Sequence, residues 1–318
     1  MMVSLAPMEG LTTVYYRRAL ARWFGGVDKY FTPFLTPTQD HRFTKRELRE
    51  VLPEQNDGLP TVPQLLTRNA QDFLWAAGEL AAMGYREVNL NLGCPSGTVV
   101  AKGKGSGFLA HPEELDAFLE EIFSKAPCAL SVKTRIGLKD PEEFAALLAI
   151  YRKYPLAELI VHPRVRTDMY KNPPRWACFG EALEGSPFPV CYNGDIYTPD
   201  DADRLRSAFP AADRLMLGRG LAGDPALARR LKGGPPAGRT ELSCFVDQVY
   251  ESYAQAFGSR RNAMLRMKEV WFYLIRLFLD GDKLSKAIKK ARDPLDYESA
   301  VRSVFADLEL SPVLRPDW

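Results

Sequence analysis

Short runs of aliphatic and β-branched residues recur along the chain, each followed by a longer stretch in which apolar residues return every three or four positions. The short runs predict strands at Val3–Ala6, Lys29–Phe34, Val62–Leu66, Glu87–Leu92, Leu130–Thr134, Leu159–Val161, Val190–Tyr192 and Arg214–Leu217. The stretches between them predict helices, among them Thr13–Phe24, Ala70–Met83, Pro112–Ser124, Pro141–Tyr151, Pro199–Ala208 and Pro225–Leu231. Several open on a start signal: Asn69 before Ala70, His111-Pro112-Glu113-Glu114, Asp140-Pro141-Glu142-Glu143 and Thr198-Pro199-Asp200-Asp201. Proline suits a first helical position, whose N–H has no partner anyway, and first-turn carboxylates suit the positive end of the helix dipole. Eight strands alternating so evenly with helices predict an α/β protein, a (β/α)8 TIM barrel in preference to an open sheet.

The cadence stops at Leu231–Thr240, a Gly/Pro-rich linker. Beyond it Glu241–Phe257, Arg260–Asp280, Lys283–Arg292 and Tyr297–Leu308 read as helices with no further strand, so a barrel domain over 1–233 and a small all-helical domain over 240–318 are expected. The 318 residues, 46% hydrophobic and 26% charged, leave ample material for a core. No run of about 20 apolar residues suggests a membrane span, and no basic, apolar leader opens the chain, so a soluble cytoplasmic protein is expected. Five scattered cysteines without CxxC spacing, and three dispersed histidines, argue against a disulfide framework and a metal cluster. The net charge of +2 hides an asymmetry: Arg239 to Arg292 holds eleven basic and six acidic residues, a balance of +5, leaving −3 for the rest.

In such a barrel, function sits at the C-terminal ends of the strands. The eight ends read Ala6-Pro7-Met8-Glu9-Gly10, Pro33-Phe34, Gln64, Asn91-Leu92-Gly93-Cys94, Lys133-Thr134-Arg135, His162-Pro163-Arg164, Asn193-Gly194-Asp195 and Gly218-Arg219-Gly220. Polarity concentrated in one place demands partners that a merely structural barrel would not need. Cys94 follows a buried strand on a turn set by Gly93 and Pro95; a free cysteine is more often a small buried hydrophobe, so its reactivity is a matter of surroundings. The stretch Lys102-Gly103-Lys104-Gly105-Ser106-Gly107 reads as a flexible basic arm that settles over a polyanionic substrate. Lys133, an ammonium on an apolar strand, either forms a Schiff base or faces an anionic cofactor. Gln64 offers an amide suited to the edge of a heterocycle, and the glycines and guanidinium of the last two ends suit a phosphate.

The ordered series Leu5-Ala6-Pro7-Met8-Glu9-Gly10, Pro63-Gln64-Leu65, Val88-Asn89-Leu90-Asn91-Leu92-Gly93-Cys94-Pro95, Ser131-Val132-Lys133-Thr134-Arg135, Val161-His162-Pro163-Arg164, Tyr192-Asn193-Gly194-Asp195 and Leu217-Gly218-Arg219-Gly220 resembles the tRNA-dihydrouridine synthases. The resemblance implies an FMN enzyme that uses NADPH to reduce a D-loop uridine of tRNA to 5,6-dihydrouridine. It implies that Pro7 and Met8 back the flavin, that Gln64, Asn91 and Lys133 contact it, and that His162, Asn193, Gly194, Asp195, Gly218 and Arg219 line the ribityl and phosphate side. Cys94 becomes the general acid, giving a proton to C5 of the uracil while flavin N5 delivers hydride to C6. Two departures, Asn89 where relatives commonly carry aspartate and Thr12-Thr13 after the first motif, touch no residue with a bond-making role and leave the target uridine open.

A uracil in the tRNA elbow meets a flavin only by leaving its stack, and Arg135, Arg164, Arg166 or Tyr170 are candidates to hold it or its phosphate, beside Lys102 on the arm. The basic helices supply Arg260, Arg261 and Arg266, then Lys286, Lys289 and Lys290 at i, i+3 and i+4, as candidate tRNA-backbone contacts. Trp271-Phe272-Tyr273 between them reads as core rather than as a stacking platform. A monomer that binds tRNA but neither DNA nor membrane is expected. The competing readings are another FMN barrel oxidoreductase acting on a small pyrimidine, as in dihydroorotate dehydrogenases, a Schiff-base aldolase using Lys133, and a catalytically silent RNA-binding barrel. No dinucleotide fingerprint marks where NADPH docks.

Overall fold

The structure, a computed structural model, describes residues 1–314 and 316. The chain forms two compact units. The first takes Met1–Pro7, Lys29–Asp195 and Leu205–Met216; the second takes Met8–Asp28, Ile196–Arg204 and the chain from Leu217 onward.

The first unit is built on parallel strands β1 (Met2–Leu5), β2 (Lys29–Phe31), β3 (Thr61–Val62), β4 (Gln64–Leu65), β5 (Glu87–Leu92), β6 (Ala129–Arg135), β7 (Leu159–His162), β8 (Val190–Tyr192) and β9 (Arg214–Leu217). Their order, β3-β2-β1-β9-β8-β7-β6-β5-β4, starts and finishes on two segments that only Pro63 separates. Proline has no N–H to give the ladder and so splits one predicted strand into two, while its carbonyl still accepts from Asn89 N at 2.8 Å. The sheet therefore closes on itself as an eight-stave (β/α)8 barrel, the expected architecture. Its interior is apolar at mid-height, where Ala6, Phe31, Val62, Ile160, Cys191 and Met216 form one buried cluster. Below them a charged plug closes the N-terminal end: Lys29 Nζ reaches Glu87 at 2.8 Å and Glu158 at 3.7 Å, and Arg214 reaches Glu158 at 3.2 Å.

Helices α2 (Lys45–Val51), α3 (Ala70–Ala82), α4 (Gly97–Val100), α5 (Pro112–Lys125), α6 (Glu143–Tyr151) and α7 (Trp176–Gly185) belong to this unit; α8 (Pro199–Ala208) carries a unit boundary. The Asn69 side chain starts α3 as expected, accepting from Asp72 N at 2.9 Å.

The second unit holds α1 (Val14–Trp23), α9 (Arg219–Gly223), α10 (Leu227–Leu231), α11 (Arg239–Phe257), α12 (Arg260–Leu274), α13 (Asp282–Lys290) and α14 (Pro294–Asp307). Its body is the set of helices predicted for 240–318, and α1 joins them: Tyr16 and Phe24 meet Phe245 of α11 edge-on at 5.4 and 5.3 Å. Gly258, in the left-handed region at φ 59°, ends α11, and Ser259 caps α12. Trp271 is core, its indole N–H donating to the Tyr297 hydroxyl at 3.0 Å, as the sequence suggested; Phe272 beside it is half exposed. Among the described residues no helix is long and apolar enough to cross a membrane.

Candidate active site

At the top of the barrel a line of amides joins three strands. Asn89 and Asn91 project inward from β5 and meet Gln64 of β4, which is wholly buried. Gln64 Nε2 donates to Asn89 Oδ1 at 2.8 Å, Asn91 Nδ2 donates to Gln64 Oε1 at 2.7 Å, and Asn89 Nδ2 donates to Ser131 Oγ on β6 at 2.9 Å. Asn91 Oδ1 accepts from the backbone N–H groups of Gly93 and Cys94 at 3.0 and 2.9 Å, which fixes the turn after the strand.

That turn holds Cys94 half-buried. The Cys94 carbonyl accepts from the Ser106 hydroxyl at 2.8 Å and the Ser106 N–H at 3.1 Å, so the segment after α4 is latched against it. Gly105, at φ +56°, lies so near that a Cβ there would sit 3.0 Å from both Cys94 Cβ and the Cys94 carbonyl oxygen. Burial pushes the Cys94 thiol above its ordinary value, against the opposing pull of a Ser96 backbone hydrogen bond and of Lys133 and Arg135. Cys94 is consequently a protonated thiol at neutral pH. The arm expected to be flexible is folded: α4 leads into a 3-10 segment at Gly105–Ala110 in which Gly105, Ser106 and Gly107 are buried, and Lys102 stays exposed. Glycines read as flexibility here provide close packing instead.

Lys133 pairs in register with Asn91 on one side and Ile160 on the other, which puts it directly above the apolar layer. It has neither hydrogen bond nor ion pair among the described residues, and desolvation, then Arg135, lower its pKa to about 8. An unpaired ammonium in such a place is a vacancy for negative charge.

Arg135 and Arg164 are each about 1% exposed. Arg135 donates to the carbonyls of Gly93, Val165 and Met169 at 3.1, 3.0 and 3.0 Å, tying the β5 and β7 loops together, and lies 5.3 Å under the ring of Tyr170. Arg164 holds Asp195 in a two-pronged pair at 2.9 and 2.5 Å, reaches His162 Nε2 at 3.2 Å and donates to the Asn172 carbonyl. Asp168, a residue sequence reasoning passed over, anchors the same loop. It accepts from Val165 N at 3.0 Å and from Asn172 Nδ2 at 2.5 Å, and pairs with Arg175. Burial pushes its carboxyl up, but the Arg175 and Asn172 hydrogen bonds outweigh that and hold it below the usual range. Tyr170 stands half exposed on this scaffold, 5.8 Å from the His162 ring. Asn193 donates to the Met216 carbonyl at 2.8 Å, and a Cβ on Gly194 would collide with the Tyr192 hydroxyl.

In the second unit, Met8 begins a turn locked by Thr12, whose hydroxyl accepts from Met8 N at 2.8 Å. Met8 also lines a cavity of about 450 Å³ with Phe272 and Tyr273 of α12 and Ile288 and Lys289 of α13. Gly218 precedes α9, and Arg219 lies over the Tyr197 ring at 5.6 Å. On α13, Lys286, Lys289 and Lys290 are exposed with no carboxylate partner among the described residues.

Residues 4–275 match the family model described as Dihydrouridine synthase (Dus). The chain belongs to the dihydrouridine synthase family. A tRNA-dihydrouridine(16) synthase of Cupriavidus necator is 30% identical over 322 residues, covering 94% of this chain and 96% of its own. Another of that name, from Pseudomonas putida, is 31% identical over 307 residues, covering 92% and 94%. Among solved structures, morphinone reductase superposes with a TM-score of 0.52 at 14% identity, covering 77% of this chain and 88% of its own, a likeness of fold.

Membership of the dihydrouridine synthase family accounts for the strand-end motifs, and the structure adds which residues have donors to spare. Gln64, Asn91, Cys94, Lys133, His162, Asn193, Gly194 and Asp195 come together on the first unit's strand ends. Asp195 is committed to Arg164, a placement unlike that of a phosphate ligand. Arg135 and Arg164, expected to reach for substrate, spend their donors on loops, so they organise the site. Arg166 is half-buried with Nε unpartnered, and Tyr170 faces outward. Of the basic helix residues, Arg260 is taken by Glu251 and Glu298 at 3.0 and 2.9 Å, whereas Arg261 is exposed and Arg266 lines up beside Gly10.

Proposed function

We propose that this chain is a tRNA-dihydrouridine synthase that holds FMN, takes its electrons from NADPH and reduces the C5=C6 bond of uridine 16 in the D-loop of tRNA. The single observation that carries the reading is the placement of Cys94 on a turn fixed by Asn91, at the end of the strand that pairs with the one holding the unpaired Lys133. A thiol kept neutral suits a proton donor and not a nucleophile. The position, 16, follows the names of the C. necator and P. putida relatives.

The residues present fit a flavin. Lys133 offers an unsatisfied positive charge to the electron-rich edge of an isoalloxazine, and Gln64 keeps one amide hydrogen beyond those used by Asn89. In the first unit Asn193 and Gly194 would hold the ribityl phosphate, Pro7 would back the ring, and His162 would sit at its side; Met8, Gly218 and Arg219 belong to the second unit. The chemistry that a flavin held here and reduced by NADPH would supply is the hydride for C6 of the uracil. Cys94 then gives its proton to C5, so that one hydride and one proton saturate one double bond, and the resulting thiolate regains a proton from solvent. Lys133 and Arg135 favour that transient thiolate. Tyr170, on the loop anchored by Arg135 and Asp168, is placed to flank an extruded base. An aldolase role for Lys133 would need a carbonyl substrate, and nothing on the strand ends selects one.

The reading is tested by Cys94→Ala. The variant should bind FMN and oxidise NADPH at the parent rate, while dihydrouridine at position 16, read by mass spectrometry of digested tRNA, falls at least about a hundredfold, as expected for loss of a general acid. Parent-level dihydrouridine formation would remove Cys94 from the mechanism.

A further inference from the structure

The segment that latches Cys94 has a second face. Gly105 and Ser106 pack on the cysteine, whereas Val100, Ala101, Lys102, Gly103, Gly107 and Ala110 line an open cavity of about 630 Å³ whose other walls are Arg68, His111 and Leu138. Two cations line it, Arg68 and Lys102, and neither has a hydrogen bond or ion pair among the described residues. Lys104 stands close enough to both for their charges to act on it; desolvation first, then Lys102 and Arg68, push its pKa down against the pull of Asp72. Asp72 is itself within 3.5 Å of His41 Nε2, and His111 faces Glu114 at 3.8 Å. Two cations without a carboxylate partner among the described residues thus share one hollow, with Lys104 near enough to feel both. Such an arrangement is relieved by a bound anion. The glycines keep the wall thin: a Cβ on Gly103, at φ +63°, would strike the Arg68 guanidinium, and one on Gly107 would lie 2.8 Å from the Val100 carbonyl oxygen.

We propose that this hollow is a phosphate-binding subsite for the substrate RNA backbone, with Arg68 and Lys102 as its cations. The inference rests on the reading of tRNA as substrate. It gives the polynucleotide a grip on the outer face of the segment whose inner face holds the proton donor, so that backbone binding and the seating of Cys94 act on one short piece of chain. Phosphate could also come from the reductant, but both cations, Arg68 and Lys102, are exposed, as suits a long polyanion running across the surface.

The test uses the FMN-loaded enzyme and a full-length tRNA transcript, with Arg68→Met and Lys102→Met as variants. Each should bind tRNA roughly three- to tenfold more weakly at 0.1 M salt, and the slope of log affinity against log salt should fall by about one. Flavin reduction by NADPH without RNA should keep its rate. A transcript carrying a neutral methylphosphonate at one D-arm phosphate should bind the parent more weakly and Arg68→Met no more weakly than before, which separates a lost contact from a misfolded loop. Parent-like affinity and slope in both variants would overturn the subsite. A loss confined to NADPH oxidation would overturn it as well and give the hollow to the reductant. A parent enzyme that neither binds nor reduces tRNA would sink the functional reading itself, an outcome separate from these.

Discussion

Raising the pH through 8 should loosen the flavin. Lys133 is charged at pH 7 yet unpaired, and burial has brought its pKa from 10.5 to about 8. A ligand that needs the ammonium must restore its proton above that point. At pH 9 about one lysine in eleven is protonated, so binding costs about 1.4 kcal/mol more, a tenfold weaker affinity, with a further factor of about ten by pH 10. The assay is quenching of FMN fluorescence on titration into flavin-free protein between pH 6.5 and 9.5, read as the difference between parent and Lys133→Met so that ionisation of the ligand cancels. The same displacement has a stability consequence of defined sign. Between the folded value and 10.5 the unfolded chain binds the extra proton, so this group's contribution makes flavin-free protein more stable as pH rises through that window. At pH 7 the buried charge costs up to about 3 kcal/mol, which Lys133→Met should recover as a higher melting temperature in the flavin-free form. Affinity that stays flat to pH 9.5 in the parent, or that falls equally in Lys133→Met, would refute the assignment of Lys133 to the flavin.

Gly105→Ala, forced against Cys94 at φ +56°, should cut dihydrouridine formation at least about tenfold while FMN affinity and NADPH oxidation hold; a parent-like product rate would mean the latch does not position the thiol. Lys29→Met should destabilise the barrel by about 3 kcal/mol in a urea melt at pH 7, because it strips Glu87 and the buried Glu158 of their shared cation. Since burial already raises the Glu158 carboxyl, the deficit should shrink as the pH is lowered from 7 to 5; an equal deficit at both values would point to packing instead. Replacing Lys286, Lys289 and Lys290 together by alanine should weaken tRNA binding and lower the salt slope by about three, with an unchanged slope excluding α13 from the interface.

The barrel was legible because the strands are compact apolar runs and several of the following helices carry their own start signal, as at Asn69 and Pro112. Pro63 was readable as a residue but not as the seam where the sheet closes, which depends on neighbours distant in sequence. Cys94, Lys133 and Gln64 could be picked out because a thiol, an ammonium and an amide stand on otherwise apolar strand ends. Arg135 and Arg164 were picked out as substrate contacts, and only the fold shows their guanidinium groups turned inward onto Gly93, Val165, Met169 and Asp195. The Lys102–Gly107 arm misled for a related reason: glycine permits motion and close packing alike, and here the Cβ-free positions admit Cys94 and Arg68. Helix α7 escaped notice for want of a capping side chain at Arg175.

The amides of Gln64, Asn89 and Asn91 all point the same way. Starting at the N–H groups of Gly93 and Cys94, every bond runs donor to acceptor through Asn91, Gln64 and Asn89 to the Ser131 hydroxyl. The orientation of each group is dictated by the one before it, and the first is a backbone that cannot reverse. No link is titratable, so the polarity of the line survives any pH at which the barrel is folded, and a change of rate with pH does not report a rearranged floor. Only the far end is free to vary: an aspartate in place of Asn89 could still accept from Gln64 and would simply take, in place of giving, the hydrogen of Ser131. The departure at Asn89 is therefore a change of terminus that leaves the one-way line, and the turn that seats Cys94, as they were.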